Sequence, residues 1–198
     1  MSSHLSAPTE QPVSSVAPFF PLHTVRCDGP AVFRNQLARD IGCLLDVDDN
    51  VISWSCGTVE LAMDDVTHVP DLVAESQSGI VLIDAVTKAE PSAMIAELAA
   101  AAGYQYRPLS RPELPAIRLR NAKDLLRYAR YSVTLDDRIR VLAALDECGT
   151  MTLAECLSGF RTTQPLPAFA SMVLQRFIAI DLDDALIGPE STVRRFRG

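Results

Sequence analysis

The chain has 198 residues, 48% of them hydrophobic and 22% charged, with a formal net charge of −7. That composition can bury the core of one ordinary domain or two small ones, and it excludes a wholly disordered chain. It also excludes a protein that coats DNA unaided through a uniformly basic face, and no apolar run approaches the ~20 residues of a membrane span.

The first stretch, "MSSHLSAPTEQPVSSVAPFFPLH", is rich in Ser and Pro and lacks a basic n-region and a long apolar h-region. It reads as a flexible arm over residues 1–24 and not as an export signal, so a cytoplasmic location is expected. Next, "PAVFRNQLARDIGCLLDVDDN" carries Val32, Leu37, Ile41, Leu44 and Leu45 near helical spacing, which predicts a helix over about Ala31–Leu45. Asp46, Asp48 and Asp49 lack the Gly and terminal Glu of a calcium loop and read as a solvated turn. "VISWS" and "TVELAM" follow as short strands, with Trp54 a core or interface anchor. "VTHVPDLVAES" is a strand interrupted at Pro70, "SQSG" is a hairpin turn, and "IVLIDAVT" has the β-branched character of a central strand. "SAMIAELAAAAG" predicts a helix stopped by Gly103, and "YQYRPL" predicts one more strand. Helix, antiparallel strands and a strand–helix–strand crossover make an α/β unit with a mixed sheet, over residues 25–131.

"SRPELPAIRLRN" reads as a connector, and "AKDLLRYARY" as a helix with Lys123, Arg127 and Arg130 on one face. That stripe suits either solvent or phosphate. Over residues 132–198, "TLDDRIRVLAALDECG", "TMTLAECLSGF" and "PLPAFASMVLQRFIA" predict three helices, and "IAIDLDDALIGPESTVRRF" two short strands about an acidic turn. Three helices and a two-stranded flap follow the winged helix-turn-helix pattern, with a small helical bundle as the alternative. The third helix offers only Gln175 and Arg176 as readers, which favours a protein-docking wing over one that reads bases.

Charge is unevenly spread. Residues 1–106 hold 4 basic and 14 acidic side chains, residues 107–140 hold 9 and 4, and residues 141–198 hold 5 and 7. Nucleic-acid contact is therefore expected to be local, through Lys123, Arg127, Arg130 and the tail residues Arg194 and Arg195, helped by a partner. The five cysteines contain no CxxC pair, and His4, His23 and His68 are too scattered for a histidine metal cluster. His68, alone near a strand start, reads as structural.

"LARDIGCLLDVDDNVISW", "HVPDLVAESQSGIVLIDAVTK" and the region from Asp136 to Val193 together resemble the TnsA-type transposon endonucleases. In that family a helix supplies a glutamate, a PD strand an aspartate, and a (D/E)-x-K strand a second acid and a lysine, before a winged-helix domain. The resemblance implies a restriction-endonuclease-like fold. It assigns Asp71 and Asp84 as catalytic acids and ligands of Mg²⁺, the one cofactor it implies, with Lys88 as the lysine. Two positions depart from the pattern: the glutamate position is Ala38 and the lysine position is Val86. Asp40 lies about 200° around the helix from Ala38. On a continuous strand Lys88 would start about 6–7 Å beyond the required place. The expectation is a TnsA-like subunit of a DNA transposition or recombination machine with a degraded metal site, contacting DNA and a transposase-like or other protein. An active Mg²⁺-dependent endonuclease is the first alternative. A protein-binding adaptor with no DNA role is the second.

Overall fold

The computed structural model describes residues 18–63, 66–87 and 93–197. Residues 1–17 of the expected arm, and Lys88, lie outside them. The rest of the arm does not hang free: the buried Arg39 donates from Nε to Pro21 O at 2.7 Å and from Nη2 to His23 O at 2.8 Å.

Helix α1, Gln36–Asp46, begins five residues later than its periodicity predicts. Asn35 is extended, and its side chain accepts from Ala38 N at 2.9 Å, so the cap fixes the start. The residues before it serve packing, with Phe33 buried against Trp54 at a centroid distance of 6.0 Å. Trp54 is the expected anchor, 1% exposed. Its Nε1 donates to Asp46 Oδ1 at 3.0 Å, and the same oxygen accepts from Val25 N and Arg26 N. Asp46 is therefore a buried staple and not part of a solvated turn: three donors meet its Oδ1, while Oδ2 has no partner among the described residues and burial pushes the carboxyl up.

Strands β1 (Val51–Cys56), β2 (Leu61–Met63), β3 (Val66–His68), β4 (Leu72–Ser76), β5 (Gly79–Ala85) and β6 (Gln105–Leu109) build the sheets. The main sheet has the order β1-β4-β5-β6, antiparallel except for the β5/β6 pair, which α2 (Ala93–Ala101) connects. β2 and β3 form a separate hairpin. The interrupted strand expected around Pro70 is thus two strands, with Val69, Pro70 and Asp71 turning the chain from one sheet to the other. A two-residue loop closes the β4–β5 hairpin, with Ser76 opposite Gly79 at φ +125°, a value that glycine alone adopts without strain. β5 sorts its side chains by alternation. Leu82 joins Leu61, Leu98 and Ala99 on one face, while Ile83 and Ala85 join the α1 core on the other.

The proline-punctuated connector is largely helical. Pro115 precedes α3, Ala116–Leu126, where its missing N–H is no loss. α3 stops at Leu126, so Arg130 lies beyond it and the expected three-residue stripe is not one helical face. α4 (Leu135–Cys148) is capped by Thr134 and stopped at Gly149, as its sequence predicts. β7 (Thr150–Thr152), which the periodicity did not reveal, leads into α5 (Leu153–Ser158), capped by Thr152 with Glu155 reciprocating. α6 (Pro165–Leu174), β8 (Ile178–Ile180) and β9 (Thr192–Arg195) complete the chain, the last two in a sheet of order β7-β9-β8. One continuous apolar cluster runs from Phe33, Ile41 and Leu72 through Leu126 to Val141, Phe169 and Val193. The fold is mixed α/β, a mixed sheet flanked by helices, and no helix among the described residues is long and apolar enough to cross a membrane.

Candidate functional site

The β4–β5 register decides where the two expected acids meet. Leu72 pairs with Ile83, so Asp71 and Asp84 stand opposite each other one position further along. They hold each other's strand. Asp71 N donates to Asp84 Oδ1 at 3.1 Å, and Ala85 N donates to Asp71 Oδ2 at 2.8 Å.

Asp84 is 4% exposed, and its second oxygen is committed as well. Tyr106, brought alongside by the parallel β5/β6 pairing, donates its hydroxyl to Asp84 Oδ2 at 2.7 Å. His68 Nε2, at the end of β3, lies 2.7 Å from the same oxygen, and its ring meets Tyr106 edge-on at 6.4 Å. Burial pushes the Tyr106 phenol up, and its bond to Asp84 adds to the shift. His68, read from sequence as structural, is thus a direct partner of a site acid.

Asp71 has a different neighbour. Arg34, just ahead of α1, donates from Nη2 to Asp71 Oδ2 at 2.7 Å and to Ala85 O at 2.9 Å. Burial pushes the Asp71 carboxyl up, while the Ala85 N–H and Arg34 pull it back. Arg34 and Tyr106 carry no sequence signal for this place. The periodicity places Arg34 inside a helix that in fact starts only at Gln36, and Tyr106 reaches Asp84 only through β5/β6 pairing.

The remaining expected site residues scatter. Ala38 is buried, and Asp40 is turned into a separate cluster where Gln36, Arg111 and Lys123 bind its carboxylate. Burial alone would raise the Asp40 carboxyl, but those partners outweigh it and hold it below its usual value. Lys123 Nζ lies 2.6 Å from Asp40 Oδ1, so this expected phosphate contact is bound internally. Arg127 is an exposed partner of Asp124 at 3.4 Å, and Arg130 is exposed. Arg195 pairs with Asp146 at 3.1 Å, whereas Arg194 is exposed. Of the two residues expected to read bases, Gln175 is exposed and donates to Ser171 Oγ, whereas Arg176 is turned inward, its Nη2 donating to Asp48 O and Val51 O, both at 2.7 Å. β5 ends at Ala85, so Val86 lies beyond the strand that carries Asp84.

A hard cation such as Mg²⁺ would need the oxygens of Asp71, Asp84 and Ala85. Asp71 Oδ2, both Asp84 oxygens and the Ala85 carbonyl already accept from protein donors. Among the described residues no group of three or more His, Cys, Asp or Glu is arranged to hold a metal. As it stands, the site does not fit the ion. No protein-family model matches the chain, and no curated protein is significantly similar to it.

Proposed function

We propose that this protein is a non-cleaving, TnsA-endonuclease-like subunit of a DNA transposition or recombination machine, acting in assembly or DNA contact. The observation that carries the reading is the opposition of Asp71 and Asp84 across the β4–β5 register, with three of their four carboxylate oxygens taken by Arg34, His68, Tyr106 and backbone N–H groups. Two acids that meet at adjoining strand ends are the arrangement a restriction-endonuclease-like ancestor would leave. Acids whose oxygens are engaged by protein donors offer fewer of the open coordination positions that metal-assisted hydrolysis requires. Ala38 at the helix glutamate position removes a further oxygen donor. After it, the order α4, β7, α5, α6, β8, β9 and the sheet order β7-β9-β8 support a winged-helix reading of residues 132–198.

The expected result is that purified protein with Mg²⁺ or Mn²⁺ leaves transposon-end DNA intact, alone and with a transposase partner. Cutting that Asp71→Ala abolishes would overturn the proposal. A second reading, a protein-docking adaptor, draws support from α6. That helix contains no charged residue, buries Ala168, Phe169, Ala170, Ser171, Met172 and Leu174, and is followed by an inward Arg176. Such a helix suits packing better than a DNA groove. DNA binding at low salt that weakens steeply as salt rises and falls with Arg127→Ala and Arg130→Ala would exclude the adaptor reading.

A further inference from the structure

Three arginines from distant parts of the chain grip the C-terminal end of α1. Arg26, ahead of the helix, donates from Nη1 to Asp46 O. Arg118 of α3 donates from Nη2 to Val47 O at 3.1 Å, and Arg176, just after α6, donates to Asp48 O and Val51 O. Guanidinium charge suits the carbonyl end of a helix. A fourth arginine, Arg194, comes from β9, opposite Ala179 of β8. All four line one cavity of about 160 Å³.

This cavity has more donors than acceptors. A guanidinium has five N–H groups, and the side-chain bonds of Arg26, Arg118 and Arg176 use two in each. Arg176 Nε is buried without a partner among the described residues, and Arg194 is exposed and joins no ion pair among them. The acids of the lining are engaged elsewhere or face solvent. Asp183 binds Arg118, Asp181 accepts from Asp183 N and Asp184 N, Asp49 is exposed, and Asp46 Oδ1 is taken by Trp54 and two backbone N–H groups. Burial and then the nearby Arg176 charge push the Arg26 guanidinium down, as crowded cations do. Arg176 also has φ +57°, the one positive value among the described non-glycine residues. An arginine adopts that backbone only at a cost, and such strain gathers at ligand clamps.

We propose that this cavity, between the end of α1 and the β7-β9-β8 sheet, binds a small tetrahedral oxyanion of the phosphate class, as the free ion or as the terminal phosphate of a nucleotide. The volume equals that of about five waters, which holds one such ion with a few waters beside it. Guanidinium donors from four separate segments suit four oxygens, whereas a carboxylate offers two. A bound ion would tie the segment before α1, α3, the end of α6 and β9 together, so it would stabilise the fold as a whole. The inference is independent of the reading of Asp71 and Asp84.

The test is isothermal titration calorimetry of the full chain with sodium phosphate, at an ionic strength held constant with sodium chloride, alongside thermal unfolding. One phosphate should bind per chain, and Tm should rise by about 5 °C at a phosphate concentration about a hundredfold above Kd. Arg194→Gln, an exposed change that leaves the fold intact, should weaken binding about tenfold, and Arg194→Lys should restore part of it. Adenosine monophosphate that displaces phosphate would identify a nucleotide as the source, and phosphate binding that it leaves untouched would identify the free ion. The absence of saturable binding, as for a cavity that holds water alone, would overturn the inference. So would equal phosphate affinity in the Arg194→Gln protein. These outcomes are separate from the proposed function, which stands or falls on DNA cleavage and association.

Discussion

Asp84→Ala distinguishes an acid built into the fold from one kept open for chemistry. Asp84 is 4% exposed and accepts from Asp71 N at 3.1 Å, Tyr106 OH at 2.7 Å and His68 Nε2 at 2.7 Å. Hydrogen bonds to a charged group contribute about 1.5 kcal/mol each at the low end, about 4.5 kcal/mol for three. All three donors belong to half-buried residues and would regain some water, and the repulsion between Asp84 and Asp71 would be relieved. A net loss of about 3 kcal/mol remains. With a urea m-value of about 2 kcal/mol/M, the midpoint should fall by about 1.5 M, and Tm by about 9 °C. The assay is urea unfolding followed by circular dichroism in EDTA, so that no metal contributes. Tyr106→Phe should cost about 1 kcal/mol in the wild-type protein and almost nothing beside Asp84→Ala, because its partner would already be gone. An unchanged or raised midpoint for Asp84→Ala would refute the reasoning. That is the behaviour of an active-site acid whose removal relieves electrostatic strain.

Asp137 supplies a pH prediction. Burial would raise its carboxyl, but bonds from Arg161 N, Thr163 Oγ1, Thr163 N and Thr162 N outweigh it and hold it well below the usual carboxylate range. A depressed folded-state value stabilises above the unfolded value of 3.8 and loses that contribution as pH falls through the folded one. Stability should therefore decline as pH drops below about 4, and Asp137→Asn should cost about 2–3 kcal/mol at pH 7 while flattening that decline. Lys123→Ala should lower stability by about 1–2 kcal/mol, because it strips a partner from the fully buried Asp40, and leave the salt dependence of any DNA binding unchanged. Arg127→Ala, by contrast, should reduce the slope of log K against log salt by about 0.9 if that side chain meets a phosphate. Gly42→Ala would set a methyl 3.1 Å from the Trp54 ring and 3.2 Å from Phe33. The overpacking cost exceeds the ~1 kcal/mol gained in helix propensity, so calorimetry should give a net loss of about 1 kcal/mol.

Local chemistry made most elements legible. Thr134 and Gly149 bound α4, Thr152 and Glu155 start α5, and the two-residue turn before Gly79 closes the β4–β5 hairpin, each through bonds within a few residues. Errors cluster where local and distant demands compete. The segment before α1 has helical periodicity, yet Phe33 leaves it to pack on Trp54. Asp46 has the neighbours of a turn aspartate, but Trp54 and the backbone near residue 25 draw it into the core. Lys123, Gln175 and Arg176 have the composition of a surface, and all three bind internal partners.

The amino-acid order by itself determined that Asp71 and Asp84 would face each other, because a hairpin turn fixes the register and the register fixes the pairs. It did not determine what surrounds them. Arg34, His68 and Tyr106 come from a loop, a second sheet and a parallel strand respectively, and side chains so distant in sequence share no periodicity or spacing. Only the packed sheets bring these three donors onto the two carboxylates, and occupancy of the oxygens, not the presence of the acids, governs what the site can hold.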